Sequence, residues 1–395
     1  MSFRDWYAKS SRRLLDPLVL NVDVGNYIQM GGSNVDNLST SSRKIQPLEY
    51  DVFLGLDVDK GSIVITQLDH LGMEKALSTP YNSGNLLGYV RSHLANKRVA
   101  FAYEAGPTGF GLYDDIAAAG YPCLVVTPST VPTVKGKHVR TNRLDSRKLA
   151  YQLRGGSLEG VRVPNEAYRH LREYVTLRKM HMTESAKCKQ RIKALFLRYG
   201  LTFPGATSGG FWSRELIEGL RDFECAPALG FKIGNLLDCM TFSRGQALLA
   251  QQELRRYVES NPEICESVRY AMSLPGVGWI VATYAVARIG DWRQMGRSDE
   301  LASFFGLVQR EDSTGNSSDR GSITKAGDPV MRSLLVEAAW TSIRKDRELA
   351  EFYKRVYSTH PKDKAARIAI VAVARKLTAR LHCVLKERRI YEPKH

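Results

Sequence analysis

The ten residues Asp51-Val-Phe-Leu-Gly-Leu-Asp57-Val-Asp59-Lys60 constrain this chain more than any other stretch. An apolar run of five residues ends on an acid. The run reads as a buried strand, and Asp57 as its carboxyl end, where sites on open sheets lie. A carboxylate is costly to bury unless a partner or a metal compensates it. The rest of the sequence must therefore supply what meets Asp57.

The 395 residues suffice for two or three domains with sizeable cores. No run of about 18 apolar residues is present, so no membrane span is expected. The first residues, Met1-Ser-Phe-Arg-Asp-Trp-Tyr, lack the apolar centre of a signal peptide. Cys123, Cys188, Cys225, Cys239, Cys265 and Cys383 are scattered without a CxxC pair. That spacing predicts reduced thiols in a cytosolic protein, not a zinc site or a disulfide frame.

The formal net charge of +16 points to a polyanionic partner. Its distribution says more than its size. Between residues 131 and 200 there are seventeen Lys and Arg against five Asp and Glu. A solvated helix face accounts for part of such an excess. Neutralising a nucleic-acid backbone uses the same clustering.

In chain order, residues 1–48 are polar and without sustained periodicity, which predicts a mobile extension with a short helix near 6–15. Strands are predicted at 52–57, 62–69, 73–77, 98–104 and 122–127. Helices are predicted after a Ser83 cap, with Leu86, Leu87, Val90 and Leu94 on one face, and over 109–119 and 144–153. Three strands joined by turns, followed by strand–helix crossovers, give a mixed sheet flanked by helices. That is the layout of an α/β ribonuclease-H-like fold.

A long helix is predicted over 165–199, with Leu171, Val175, Arg178, Met182, Ala186 and Leu195 near one stripe. That stripe needs a partner helix, and 236–258 can supply it, giving a helical hairpin or coiled-coil arm. The breaker-rich Phe203-Pro-Gly-Ala-Thr-Ser-Gly-Gly-Phe211 lies between them. A last, mostly helical domain follows. In it Leu274-Pro-Gly-Val-Gly278 is either a tight turn or a phosphate-holding loop. Residues 309–327 form a polar segment, Asp328-Pro329 begins a helix, and a final helix covers 363–386 with Thr378 and His382 on its polar side or flanks. The expected division is 1–48, 49–160, 161–262 and 263–395.

In a ribonuclease-H-like sheet the first and fourth strands are neighbours, which sets Asp57 beside Glu104. Asp145 can join them from the helix after the fifth strand. Several hard oxygens are what Mg²⁺ takes, and carboxylates packed without an ion repel one another. Two such ions stabilise both oxygens of a phosphodiester displacement. The alternatives are that Asp145 caps its helix and that Asp57 pairs with a nearby Lys or Arg.

Phe53-Leu-Gly-Leu-Asp57, Tyr103-Glu104-Ala105-Gly106 and Thr141-Asn-Arg-Leu-Asp145-Ser-Arg-Lys-Leu-Ala150 resemble the three blocks of DEDD transposases of the bacterial insertion-sequence family one-ten. Leu274-Pro-Gly-Val-Gly278, Phe305-Gly-Leu307, Ser313-Thr-Gly315, Ile323-Thr-Lys-Ala-Gly327 and Leu334-Leu-Val-Glu-Ala-Ala339 resemble that family's C-terminal domain, in the same order. The resemblance implies a RuvC-like domain, a coiled-coil arm and a C-terminal domain carrying a serine nucleophile. It implies Mg²⁺ at the acidic cluster, a bridge RNA pairing with donor and target DNA, and homodimers assembling to tetramers in a bacterial cytoplasm. The implied chemistry is hydroxyl attack on a phosphodiester, a phosphoserine link and strand exchange.

Two positions depart from the pattern. The family's third acid falls at Asn142, a neutral oxygen donor and a weaker ligand. The family's serine falls on Thr314 when counted from Gly306-Leu307, and on Ser313 when counted back from Lys325-Ala-Gly327. The primary hydroxyl is less hindered, so Ser313 is the expected nucleophile. Asp59 would share the face of Asp57 in an extended strand and could replace a ligand only weakly. Arg310, Arg320 and Lys325 are candidates for steadying phosphate charge. A water-using junction nuclease of the RuvC type and a catalytically weakened nucleic-acid-binding protein are the alternatives to a recombinase.

Overall fold

The computed structural model describes residues 44–127, 141–204, 212–294, 296–314, 317–324 and 327–393. The helix expected near 6–15, most of the loop 203–211 and Lys325 lie outside them. The chain packs as two units. The first takes the chain up to Asp57, Gly61–Tyr103 and Tyr121–Gly160; the second takes Val58–Lys60, Glu104–Gly120 and Val161–His395.

The first unit is a five-stranded sheet in the order β3-β2-β1-β4-β5. Its strands are β1 (Val52–Val58), β2 (Ser62–Asp69), β3 (Glu74–Pro80), β4 (Val99–Glu104) and β5 (Cys123–Val126). β1 and β4 pair in parallel, and β2 and β3 antiparallel. The burial follows the composition. The unbroken apolar runs Val52–Leu56 and Val99–Tyr103 are buried throughout and hold the centre of the sheet, where both faces are covered. β2 is only partly buried, and β3, with Glu74, Lys75 and Ser78, forms the exposed side.

The helix α1 (Ser83–His93) is capped by Asn82, not by Ser83: the Asn82 Oδ1 accepts from the Gly84 and Asn85 amides. Asn and Ser cap equally well, so neighbouring candidates leave the choice to the backbone. After α2 (Gly111–Ala118) and β5 comes α3 (Asn142–Arg154), whose Leu149 and Leu153 pack with Phe53, Ala100, Ala102 and Val126.

The second unit, which includes α2, is built on two long helices, α4 (Glu166–Arg198) and α6 (Pro227–Ser260), with the short α5 (Arg214–Arg221) between them. α6 starts nine residues before the expected 236, with Pro227 in its first turn; Gly230 and Gly234 break the apolar pattern of these turns and hide them in the sequence. Along α6 the buried residues Leu229, Ile233, Leu237, Met240, Ser243, Ala247, Ala250, Leu254 and Val258 recur every three or four positions, the spacing of a helix seated on a partner. On α4 the stripe holds Leu171, Val175 and Leu195 as expected, but Ser185 is buried where Ala186 was expected, and Ala186 and Met182 are exposed.

Two hydrophobic clusters grip the pair. One end joins Tyr168, Leu171 and Val175 to Leu254 and Val258 and to the C-terminal helices. The other joins Cys188, Ile192, Leu195 and Phe196 to Leu229, Ile233, Leu237 and Met240. Between them the buried positions are the small residues Ser185, Ser243, Ala247 and Ala250.

The C-terminal helices are α7 (Pro262–Met272), α8 (Trp279–Ile289), α9 (Ser298–Phe304), α10 (Pro329–Ser342), α11 (Arg347–Ser358) and α12 (Lys362–Lys386). The polar segment 309–327 contains an antiparallel hairpin, β6 (Gln309–Thr314) with β7 (Ser317–Ile323). Thr378 is fully buried in α12, where its Oγ1 donates to the Ala374 carbonyl, and not on a polar side. Hydroxyl back-bonding of this kind lets a threonine enter a core satisfied. His382 shares a 2.7 Å hydrogen bond with the Gly296 carbonyl.

Leu274–Gly278 is a turn pressed against α10. Gly276 has φ +83°, and a Cβ there would lie 2.5 Å from the Ser342 Oγ and 2.6 Å from the Ala338 carbonyl. The Ser342 Oγ is 2.5 Å from the Pro275 carbonyl and 2.7 Å from that of Ala338. The glycine is thus required by close packing, whatever else the loop does. No helix among the described residues is long and apolar enough to cross a membrane.

Candidate active site

The site starts from the pairing of β1 with β4. Their register runs from Val52↔Val99 to Leu56↔Tyr103, and Asp57 and Glu104 are the next residue on each strand. Residues in register on parallel strands present the same face, so the backbone order carries both acids to the carboxyl ends of two central strands. Both are half-buried.

The opposite ends of these strands are pinned. Arg98 donates Nη2 to the Asp51 Oδ1 at 2.9 Å and its backbone N–H to the Asp51 Oδ2 at 2.9 Å, while Asp51 N–H donates to the Arg98 carbonyl at 2.8 Å. The side-chain and backbone hydrogen bonds from Arg98 hold the Asp51 carboxyl down to about 2, against an ordinary 3.8.

Helix α3 lies on β1 with almost no gap. A Cβ on Gly55 would sit 2.1 Å from the Ser146 carbonyl oxygen and 2.4 Å from the Ala150 amide nitrogen. Gly55 and Asp57 are two apart on one strand and share a face, so α3 covers the face that carries Asp57. The Ser146 Oγ meets the Thr66 Oγ1 of β2 at 2.9 Å, both buried. At its other end, Arg154 donates to the carbonyl of Asp69, where β2 finishes. These contacts orient α3 antiparallel to β1, with its first turn towards the carboxyl end of that strand. Asn142, Ser146, Leu149 and Leu153 recur at helical spacing, so Asn142 continues the sheet-facing stripe by one turn beyond Ser146.

The helix cap is Thr141, whose Oγ1 accepts from the Leu144 amide at 3.3 Å. Asp145 therefore does not cap its helix; it is half-buried in the first turn, and Asn142 is exposed at the first position. Asp59 lies beyond the end of β1 in the turn to β2, exposed, with its Oδ1 accepting from the Lys60 amide at 2.7 Å. It is a turn residue and does not continue the face of Asp57.

Asp57, Glu104 and Asp145, with the amide oxygen of Asn142, are hard donors of the type Mg²⁺ takes. Among the described residues, however, no three acids, histidines or cysteines close on one point. The donor chemistry fits a divalent cation, while the spacing does not form a finished cage.

The backbone of Ser313 and Thr314 lies in β6, paired with Ser318 and Ser317. The base of this hairpin is tied down firmly. Thr324 N–H donates to the Val308 carbonyl at 2.9 Å, and Asp328 N–H to that of Phe304 at 3.2 Å. Gly327, at φ +106°, has no room for a Cβ, which would stand 2.3 Å from the Phe304 carbonyl. Asp328 is buried, caps α10 through the Val330 and Met331 amides at 2.9 and 3.0 Å, and forms an ion pair with Arg288 that lacks hydrogen-bond alignment.

Sequence reasoning singled out the acids and missed their supports. Gly55, Thr66 and Ser146 fix the helix that carries Asn142 and Asp145. The available signal was a glycine inside an otherwise apolar strand, which marks close approach of another backbone.

Residues 268–354 match the family described as Transposase IS116/IS110/IS902, and residues 54–200 match the DEDD transposase of IS110 elements. A Sinorhizobium fredii protein named as a transposase, y4qE, is 34% identical over 62% of this chain and 59% of its own length, so the chain spans less than two thirds of that relative. The transposase for insertion sequence element IS1111A of Coxiella burnetii is 25% identical over 74% of this chain and 78% of its own. The transposase for IS1533 of Leptospira borgpetersenii is 24% identical over 87% and 97%.

Proposed function

The chain belongs to the IS110 family of DEDD transposases, and from that membership we propose that it is a recombinase that cuts and rejoins DNA. The observation that carries the reading is the placement of Asp57 and Glu104 at the carboxyl ends of adjacent parallel strands, under the helix that brings Asn142 and Asp145, inside the matched segment 54–200. The strand order favours a ribonuclease-H-like, RuvC-like domain over 49–160. The long paired helices favour a coiled-coil arm over 161–262, followed by a C-terminal domain over 263–395.

Asp57 and Glu104, with Asp145 and Asn142 as further donors, would hold Mg²⁺. When bound, the ion supplies electrostatic stabilisation of the phosphodiester oxygens. The Ser313 hydroxyl is the proposed nucleophile: its oxygen bonds to phosphorus, one phosphoester bond breaks, and the proton leaves to the departing DNA hydroxyl. The product is a phosphoserine link that a DNA hydroxyl reverses to rejoin strands. The anchored base of the β6–β7 hairpin serves to fix where that hydroxyl stands. A bridge RNA pairing with donor and target DNA, and assembly through dimers to tetramers, complete the proposal on the family resemblance.

The test is incubation with the noncoding RNA flanking its gene, Mg²⁺, and donor and target DNA. Covalent protein–DNA adducts should form and vanish on Ser313→Ala. If Ser313→Ala keeps the adducts and Thr314→Ala loses them, the nucleophile is Thr314. Cleavage without any adduct would instead identify a water-using nuclease. Asn142, neutral at a position where the family pattern has an acid, favours a second reading: a weakened enzyme that binds nucleic acid and cuts slowly.

A further inference from the structure

Many cations of the second unit are answered by acids: Arg169 by Asp114, Arg221 by Asp238, Arg256 by Glu253. Several on the arm are not, and three of these gather at one place. Lys189 and Lys193 on α4 and Arg244 on α6 have no carboxylate partner among the described residues. Two acids of the same helices, Glu184 and Asp238, are taken by Lys187 and Arg221.

The three stand close enough to feel one another. Burial lowers the pKa of Lys189, and the charges of Arg244 and Lys193 lower it further. The Lys189 ammonium is 5.7 Å from the ring centre of Trp212, and that of Lys193 is 5.9 Å from the ring of Phe203. The two rings are themselves 5.8 Å apart, so the cations sit side by side over a joined aromatic floor. Trp212 is buried and Phe203 half-buried, so the floor supports the cations and does not offer an open platform for stacking bases. Like charges gathered with part of their water removed are unfavourable alone, and an external anion relieves them.

We propose that Lys189, Lys193 and Arg244 form a sequence-independent contact for the phosphodiester backbone of a nucleic-acid strand on the arm. Backbone phosphates position a strand and carry no base identity. The proposal deepens the recombinase reading by naming a contact on the arm. It is read by binding alone, so its failure is separable from a failure of cutting.

The experiment titrates the full chain with a DNA duplex and, separately, an RNA hairpin, each also in permuted sequence, over a range of salt. The comparison is with Lys189→Gln/Lys193→Gln/Arg244→Gln. Each lost phosphate contact should make the salt dependence shallower, by about 0.9 per contact on duplex DNA, so the triple variant should lose roughly two to three in slope. Permuting the sequence should change nothing. A second measurement needs no variant: amine acetylation of the unaltered chain should show Lys189 and Lys193 protected by nucleic acid relative to exposed Lys232. A response to DNA alone makes the contact a DNA site, and to RNA alone an RNA site. Unchanged slope and unchanged labelling with both would overturn the proposal. If the triple variant does not fold, the labelling decides.

Discussion

Gly55→Ala is the sharpest test of how the acidic site is built. The added methyl would stand 2.1 Å from the Ser146 carbonyl oxygen, 2.4 Å from the Ala150 nitrogen and 3.0 Å from its Cα, where ordinary contact begins at 3.4 Å. All three atoms are backbone, so no rotamer change relieves them, and α3 must lift by about an ångström. Forcing a methyl into a filled core costs about 1–3 kcal/mol, and the rigid neighbours here put the expected cost near the upper end, about 3 kcal/mol. Domains are stable by roughly 5–15 kcal/mol, so the sheet should remain folded but weakened. The same lift moves Asn142 and Asp145 relative to Asp57, and a 1 Å misplacement costs about a hundredfold in rate.

Four of the five tryptophans, Trp212, Trp279, Trp292 and Trp340, belong to the second unit, so tryptophan emission reports mainly on that unit. Stability is better followed by amide exchange in β1 and β4, with DNA cleavage measured beside it. Gly88→Ala in α1 is the control. Nothing lies within 4 Å of its would-be Cβ, and an alanine inside a helix is favoured over glycine by about 0.5–1 kcal/mol. Opposite signs for the two variants support the packing argument. Wild-type exchange and cleavage in Gly55→Ala would refute it.

Asp51→Asn should flatten the acid limb of the stability curve. A carboxyl held at about 2 when folded contributes stability above its ordinary value near 3.8 and loses it as pH falls towards 2, so unfolding midpoints measured between pH 4 and 2 should depend less on pH in the variant. Asn142→Asp should raise Mg²⁺-dependent cleavage and, by placing a negative charge in the first turn of α3, stabilise that helix by about 0.3–1 kcal/mol. A stability gain with unchanged cleavage would remove position 142 from the metal set. Asp328→Ala should cost about 2–3 kcal/mol, because it removes a cap and the buried partner of Arg288, whose guanidinium still reaches water. Asp328→Asn, which keeps the cap, should cost less, and equal urea midpoints for the two would contradict this division.

The central strands were legible because β1 and β4 are continuous apolar runs, a pattern set by burial on both faces. Their terminal acids followed directly, since a parallel register carries sequence position into space. The approach of α3 to Gly55 was not legible: it depends on a helix eighty residues or more away, and only the glycine hinted at it. The hairpin β6–β7 was hidden for a different reason. Its serines, acids and glycine have no apolar alternation, and its base is held by Gly327 and Asp328 from the following turn. The long helix α4 could be read from its stripe, yet which of Ser185 and Ala186 is buried depends on the partner helix. How closely Asp145 approaches Asp57 was equally beyond the sequence, because it depends on the helix-to-sheet distance.

The small residues between the two ends of the helix pair have a mechanical meaning. α4 is 33 residues long, about 50 Å at the helical rise. Resistance to bending comes from side-chain contact per turn, and Ser185, Ser243, Ala247 and Ala250 offer less of it than the leucines and aromatics at either end. The helix pair is thus a stiff beam with a compliant middle. From Ser185 to Arg198 is about 20 Å of helix, so a tilt of about 10° at the middle would carry the tip by roughly 3–4 Å. A lever of that kind turns a small angle near its root into a displacement as large as an atomic contact at its end.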